Sequence, residues 1–297
     1  MKKQDIVVFI TALVMMISCA ALSFGQTMLE EYNLSEYTSK YGNILPIGVN
    51  NEGKAFGPAV QEGNLQVVKY LVETYPWLNL LKQPIQSQNS KETQPICIAA
   101  EKGYTDMVAF MVENKPELLK INCEGKGKYQ FNPKNQKPIW VATENGHINT
   151  VMTLLSLKSP VTVLQKYGFD DEHAVLLCLV AKVFKEEKDL KQLIPALLEA
   201  GENPNQVSGY CNSWSADAFL FAAQEKNGNF VRILRDEMKK MDKPLVSYYY
   251  KWECDPYYMD YLAEYQRLFK NEIEFLQQYG IGYKYGFKQL PSDYCYD

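Results

Sequence analysis

Apolar residues between Pro95 and Val112, PICIAAEKGYTDMVAFMV, fall into two sets. Ile96, Ala99 and Ala100 make a face of small side chains, and Met107, Val108, Met111 and Val112 recur at i, i+1, i+4 and i+5, the stripe of an amphipathic helix. Gly103 lies between the two sets. Glycine takes the left-handed backbone without steric cost, so this spacing predicts a helix ending at Gly103 and a second helix after it. The same pattern returns at residues 138–155 as PIWVATENGHINTVMTLL, with Gly146 in the turn.

Sliding this template along the chain finds two more copies. Residues 56–72 keep Ala59, Gly63 and the stripe Val67, Val68, Leu71 and Val72, and residues 219–234 keep Ala222, Ala223 and Gly228 with one additional residue in the turn. The glycines at 63, 103, 146 and 228 are 40, 43 and 82 residues apart, so a divergent copy is expected in the last gap with its turn near Lys188. Its first helix is predicted around residues 176–184. Its second runs through Leu193, Ile194, Leu197 and Leu198 to Gly201. One such helix pair cannot bury its own apolar face, so the pairs must stack on one another.

The phrases PICIAAEKGYTDMV, PIWVATENGHINTV and LLEAGENPN resemble the ankyrin repeat over roughly residues 50–236, through the paired alanines, the turn glycine, the aliphatic pairs and the closing AGxxPN. The family's threonine is replaced by Gln94 and Lys137 and its histidine by Cys97 and Trp140, and the period is longer than usual. The resemblance implies an all-α, ankyrin-like helical-repeat solenoid of about five to six helix pairs. Long loops are expected at residues 83–94 and 122–137. It also implies a protein-binding scaffold that needs no cofactor. The partner would lie along the concave face, touched by exposed residues just before each turn: Gln61 and Glu62, Glu101 and Lys102, Glu144 and Asn145, Gln224 and Glu225. Turn positions Asn51, Lys54, Lys91, Thr93, Lys134 and Gln136 would flank them.

At the two ends the pattern changes. Residues 26–49 are too short for a separate domain and are expected to cap the first repeat. Residues 237–297 are expected to be a tyrosine-rich cap or a degenerate sixth repeat. Asp255 before Pro256 predicts a helix start, and the apolar spacing through Tyr258, Leu262, Tyr265, Phe269, Ile273 and Leu276 predicts an outer helix reaching Tyr279. Tyr248, Tyr249 and Tyr250 suit either packing or an aromatic binding platform.

Composition narrows the function. A hydrophobic share of 46% excludes wholesale disorder, and 31 basic against 35 acidic residues, with neither sign in a block, leave no nucleic-acid footprint. Lys2 and Lys3 followed by an apolar run read as an export signal. Cleavage after Gly25 is the preferred reading, beside lipidation at Cys19 or an uncut anchor over residues 6–24. A periplasmic or secreted location follows, where disulfides form. Cys211, Cys254 and Cys295 are the expected bridge formers, and Cys97 is expected as a buried free thiol on a helix face.

Chemistry is sparse. The chain has two histidines. His147 holds a turn position in its repeat, and His173, within FDDEHAV, belongs to an acidic helix start favoured by the helix dipole rather than to a metal site. No HExxH, GxSxG, Walker or dinucleotide motif occurs. A non-enzymatic scaffold is therefore expected, with a structural or protective envelope component as the alternative and an enzyme housed in the C-terminal region as a third.

Overall fold

The computed structural model describes residues 52–86, 92–123, 136–161, 163–167, 170–174, 176–206, 217–253 and 267–289. The export signal, the cap at 26–49, the helix start at Asp255 and the turn positions Asn51, Lys91 and Lys134 lie outside these. The chain forms two compact units, Met1–Pro95 and Ile96–Asp297.

In the first unit α1 (Glu52–Glu62) packs on α2 (Leu65–Thr74). Phe56, Ala59 and Val60 meet the buried stripe Val67, Val68 and Leu71. Two 3-10 turns follow, and then β1 (Ile85–Gln86) pairs antiparallel with β2 (Glu92–Thr93), Ile85 opposite Thr93. The expected loop at residues 83–94 is thus partly a hairpin.

In the second unit four helix pairs follow one another: α3 (Pro95–Lys102) with α4 (Thr105–Asn114), α5 (Pro138–Glu144) with α6 (Ile148–Ser156), α7 (Leu176–Val183) with α8 (Glu187–Glu199), and α9 (Ala218–Gln224) with α10 (Gly228–Lys240). α6 packs on α4, α8 on α6 and α10 on α8, while α7 packs on α5 and α9 on α7. Two second helices present their predicted stripes to this core: Met107, Val108, Met111 and Val112 in α4, and Leu193, Ile194, Leu197 and Leu198 in α8, are all buried.

Backbone hydrogen bonds fix the register of the repeats. In four of them the first residue beyond the turn donates its N–H to an alanine carbonyl five residues back: Asn64 to Ala59 at 2.9 Å, Tyr104 to Ala99 at 2.9 Å, His147 to Ala142 at 3.0 Å and Asn227 to Ala222 at 2.8 Å. Such a closure needs a left-handed residue just before the donor. Gly63, Gly103 and Gly146 supply it with φ of 76°, 73° and 76°. In the last copy it is Lys226, at φ 52°, that closes the turn, and Gly228 opens α10. The additional turn residue expected there does not exist; the ladder closes on Lys226 because that register keeps Phe230 and Val231 buried. The divergent copy turns at residues 184–186, not near Lys188, which lies inside α8.

Two further expectations are corrected. Cys97 is not a free thiol: it pairs with Cys123, Cα to Cα 5.5 Å, because the strand of chain after α4 folds back to α3, where Cys123 N–H donates to Gln136 O at 2.7 Å. Cys178 on α7 is also disulfide-bonded. The acidic run at Asp170 is strand, not helix: β4 (Asp170–Ala174) pairs antiparallel with β3 (Val163–Tyr167), Tyr167 opposite Asp170 and Lys166 opposite Asp171. The antiparallel ladder satisfies backbone groups of both strands.

Beyond α10, β5 (Val246–Glu253) and β6 (Gly282–Gln289) form a parallel pair joined through α11 (Lys270–Gln278). α11 packs on α9, a first helix, so it extends that row and does not take the outer position expected of residues 255–279. It ends as the repeat turns do, with Gly280 at φ 71° and Ile281 N–H donating to Leu276 O at 3.2 Å.

Candidate protein-binding face

The residue at the start of each second helix, Asn64, Tyr104, His147, Glu186 and Asn227, defines equivalent positions in five repeats. Counting back three and two residues gives Gln61 and Glu62, Glu101 and Lys102, Glu144 and Asn145, and Gln224 and Glu225, so the four expected pairs are structural equivalents. Repeat four interrupts the row with Val183 and the buried Phe184. Nothing in the spacing of glycines signalled that gap, since this repeat has no turn glycine.

Helix-start side chains tie neighbouring repeats together inside the second unit. His147 Nε2 is 2.9 Å from Glu101 O, and a Cβ on Gly103 would lie 2.5 Å from His147 Nδ1, so Gly103 is required for room as well as for its φ. Asn227 does the same work one interface on. Its Nδ2 donates to Ala181 O and to Phe184 O, both at 2.8 Å, while its Oδ1 accepts from Phe230 N–H at 3.1 Å. One asparagine thereby caps α10 and satisfies carbonyls at the end of α7 that have no partner within the helix. The sequence signal for it was present, an asparagine just before an amphipathic stripe, but Gly228 drew the turn to the wrong place.

Charged groups cross the same interfaces. Lys185 Nζ donates to Ala181 O at 2.8 Å and stands 3.8 Å from Glu225 Oε2. Burial lowers the Lys185 pKa, and Glu225 opposes that shift. Arg232 on α10 meets Glu187 on α8 at 2.7 Å, and Lys191 pairs with the same carboxylate at 2.6 Å. The hydrogen bond from Lys191 is the main cause that holds Glu187 below the usual carboxylate range. Glu225 is therefore engaged within the fold as well as standing in the row.

The expected contact residues divide. Lys102 and Glu62 are exposed, and Gln61, Glu101, Asn145, Gln224 and Glu225 are half-buried. Lys54 lies within α1. Thr93, Gln136 and Glu144 are not open positions, being only 6%, 1% and 4% exposed. For the last two the reason is geometric: Gln136 precedes α5 and Glu144 ends it, and Gln136 Nε2 donates to Glu144 Oε2 at 2.9 Å. Lys137 next to them turns back onto the preceding repeat, donating to Lys120 O at 2.8 Å, and burial lowers its pKa.

On the other side of α6 and α8 a cleft of about 660 Å³ opens, lined by Met152, Leu155, Lys158, Val161, Ala196 and Glu199 among others. Among the described residues no three of His, Cys, Asp and Glu gather closely enough to hold a metal ion, and no helix is long and apolar enough to cross a membrane.

The family profile of ankyrin repeats, in three copies, matches residues 56–165. Residues 56–165 are thus ankyrin repeats. No curated protein matches it in sequence. Past the matched residues the helix pairs α7/α8 and α9/α10 follow, and the backbone closure described above recurs between α9 and α10. Ankyrin repeats generally mediate protein–protein interaction, and the family is typically non-catalytic.

Proposed function

We propose that the chain is an exported, non-catalytic scaffold that holds a protein partner along the row of residues preceding its turns. The observation that carries this reading is the shared backbone register. It places chemically different pairs, Glu101 with Lys102, Glu144 with Asn145 and Gln224 with Glu225, at equivalent points of three helix pairs. A framework that repeats while its edge varies is suited to recognising one partner over several repeats. The mixed charges of the row favour a partner of mixed polarity. Export is supported by the bridge between Cys97 and Cys123, both buried, since such a bond persists in an oxidising compartment.

The test is site-specific photo-cross-linking in the native compartment, with the probe at Lys102, Asn145 or Gln224. One partner band common to all three positions is expected, lost when Lys102→Glu is combined with Gln224→Arg. Bands that differ at each position, or the same band from a probe at Met152 in the opposite cleft, would count against the row. Intact-mass measurement of the exported chain tests the leader separately; a chain beginning at Gln26 is the expected product, and recovery of the full chain in the cytoplasm with free thiols at Cys97 and Cys123 would refute export.

A further inference from the structure

The cleft beside α6 and α8 is lined on the α8 side by small residues. α6, α8 and α10 each close with an N–H donated to a carbonyl five residues back, Ser159 to Leu154, Glu202 to Leu197 and Lys243 to Met238. That bond sets equivalent positions. Ala196 and Ala200 line the cleft, and the residues at the same distances from the bond in α10 are Glu237 and Met241. Met152 and Leu155, both half-buried, line it from α6. Three polar residues border the same space. Lys158 lies just past the end of α6 and Glu199 in the last turn of α8, both exposed. Among the described residues neither of these side chains forms an ion pair or a hydrogen bond, so they do not pair with each other. Ser159 is only 5% exposed, and its Oγ has no hydrogen-bond partner. A buried hydroxyl left in this way costs stability, which a ligand acceptor beside it would offset.

We propose that this cleft binds a short apolar peptide by its two free termini, the ammonium at Glu199 and the carboxylate at Lys158 and Ser159. A volume of about 660 Å³ with apolar residues and a few polar groups around it suits a small ligand, and such sites form between helices. An unpaired acid on one helix and an unpaired base at the end of the other call for a ligand that carries both charges. The ammonium belongs with Glu199: a helix C-terminus favours positive charge, and neither α6 nor α8 has a basic residue in its last turn. Lys158 and Glu199 stand too far apart to pair, so the ligand has to span them. Two or three extended residues separate their termini by about 7–10 Å, whereas a free amino acid holds both charges on one carbon. Apolar side chains of the peptide then take the space that Ala196 and Ala200 leave. The site is separate from the row before the turns, and it depends neither on export nor on the partner held there.

The experiment is isothermal titration of the full chain with the tripeptide Leu-Leu-Leu. Saturable binding is expected, weakened about threefold by N-acetylation or by C-terminal amidation of the peptide, as the loss of one exposed ion pair implies, and weakened further with free leucine. Glu199→Gln should weaken the free peptide by the same factor and leave the acetylated one unchanged, and Lys158→Gln should do so for the amide. Ser159→Ala should weaken the free peptide without lowering the melting temperature, because its hydroxyl has no partner in the fold. Ala200→Met, which introduces the residue that α10 carries at the equivalent point, should abolish binding by filling the cleft. The Lys102→Glu, Gln224→Arg variant should bind the peptide normally, so failure of the repeat face and failure of this site are read apart. Circular dichroism melting checks that each variant is folded. Absence of saturable binding, equal binding of a peptide capped at both ends, or undiminished affinity in the folded Ala200→Met variant overturns the proposal.

Discussion

The pairs α3/α4 and α5/α6 keep the turn glycines and much of the ankyrin motif, whereas α7/α8 and α9/α10 have lost those glycines; α9/α10 still closes in the same register, and α7/α8 turns through residues 184–186 with no left-handed residue. In the earlier region the backbone does the closing. Gly103 and Gly146 adopt φ of 73° and 76°, and His147 fits into the space that Gly103 leaves. In the later region side chains replace what the motif no longer provides: Asn227 bonds two carbonyls of the preceding repeat, Lys185 and Arg232 reach across to Glu225 and Glu187, and Lys226 accepts a left-handed backbone. The repeat is thus defined by its buried stripe and its turn closure, which several residue types can satisfy.

The second helices end with a parallel contrast. Lys158, Gly201 and Asp242 are left-handed at the ends of α6, α8 and α10, and the next residue is Ser159, Glu202 or Lys243. Ser159 is buried with no hydrogen-bond partner for its Oγ, while the longer Glu202 reaches the start of α7 and accepts from Leu177 N–H at 3.3 Å. Burial pushes the Glu202 carboxyl up to about 8, against the opposing pull of the α7 amides.

Removing the covalent tie should do most to separate the regions. Cys97→Ser with Cys123→Ser opens a loop whose ends are 26 residues apart, and the chain-entropy relation gives a loss of about 3.5 kcal/mol. Hydrogen exchange should show that loss centred on α3 and α4; equal loosening of α9 and α10 would mean that the two regions are not separately stabilised. Gly103→Ala forces a side chain into left-handed backbone and against His147, a cost of about 3 kcal/mol from the conformational penalty and the displaced hydrogen bond, measured by denaturant unfolding. Asn227→Ala should cost about 2 kcal/mol, since it removes a cap and the bonds to two carbonyls, of which Ala181 O keeps Lys185 Nζ and Phe184 O loses the amide; Asn227→Asp should restore the cap but not the ties to α7, and so recover only part.

Glu202 makes stability depend on pH. Its folded pKa, about 8, lies above the ordinary 4.5, so the folded chain keeps a proton that the unfolded chain releases. Stability therefore falls as pH rises between these values, by at most about 1.4 kcal/mol per unit, and levels off above the folded pKa. Chemical denaturation at pH 5 and pH 8 should show a smaller decline in Glu202→Gln than in the parent chain; equal declines would mean that the carboxyl is not buried as described. The smallest effect has the opposite sign. Lys226→Gly should stabilise the chain by about 0.5–1 kcal/mol by relieving the left-handed backbone, the reverse of Gly103→Ala.

Much of this fold could be read from single residues in the chain. Stripes such as Met107, Val108, Met111 and Val112 announce helices because burial of one face repeats with the helical turn, and Gly63, Gly103 and Gly146 announce turns because glycine alone takes their φ freely. Lys226 was not legible, since a lysine at φ 52° has no local signature and is chosen by the closure that keeps Phe230 and Val231 inside. Thr93, Gln136 and Glu144 looked like surface because they are polar, and their burial depends on neighbouring segments. The pairs before the turns are equivalent in register, as the repeat pattern implied, whereas the interruption at Val183 and Phe184 had no signal in the spacing of glycines.

The sequence by itself determined the helix pairs, their period and their apolar faces, since these follow from local periodicity and from the conformational range of glycine. Only the tertiary structure decided that Cys97 meets Cys123, that His147 and Asn227 reach back to the previous repeat, and that β5 and β6 lie parallel. Each of these joins residues 26 to 46 positions apart, or strands separated by a helix, through hydrogen bonds and sulfur contact. Such partners are selected by which faces pack together, and a local pattern carries no record of that choice.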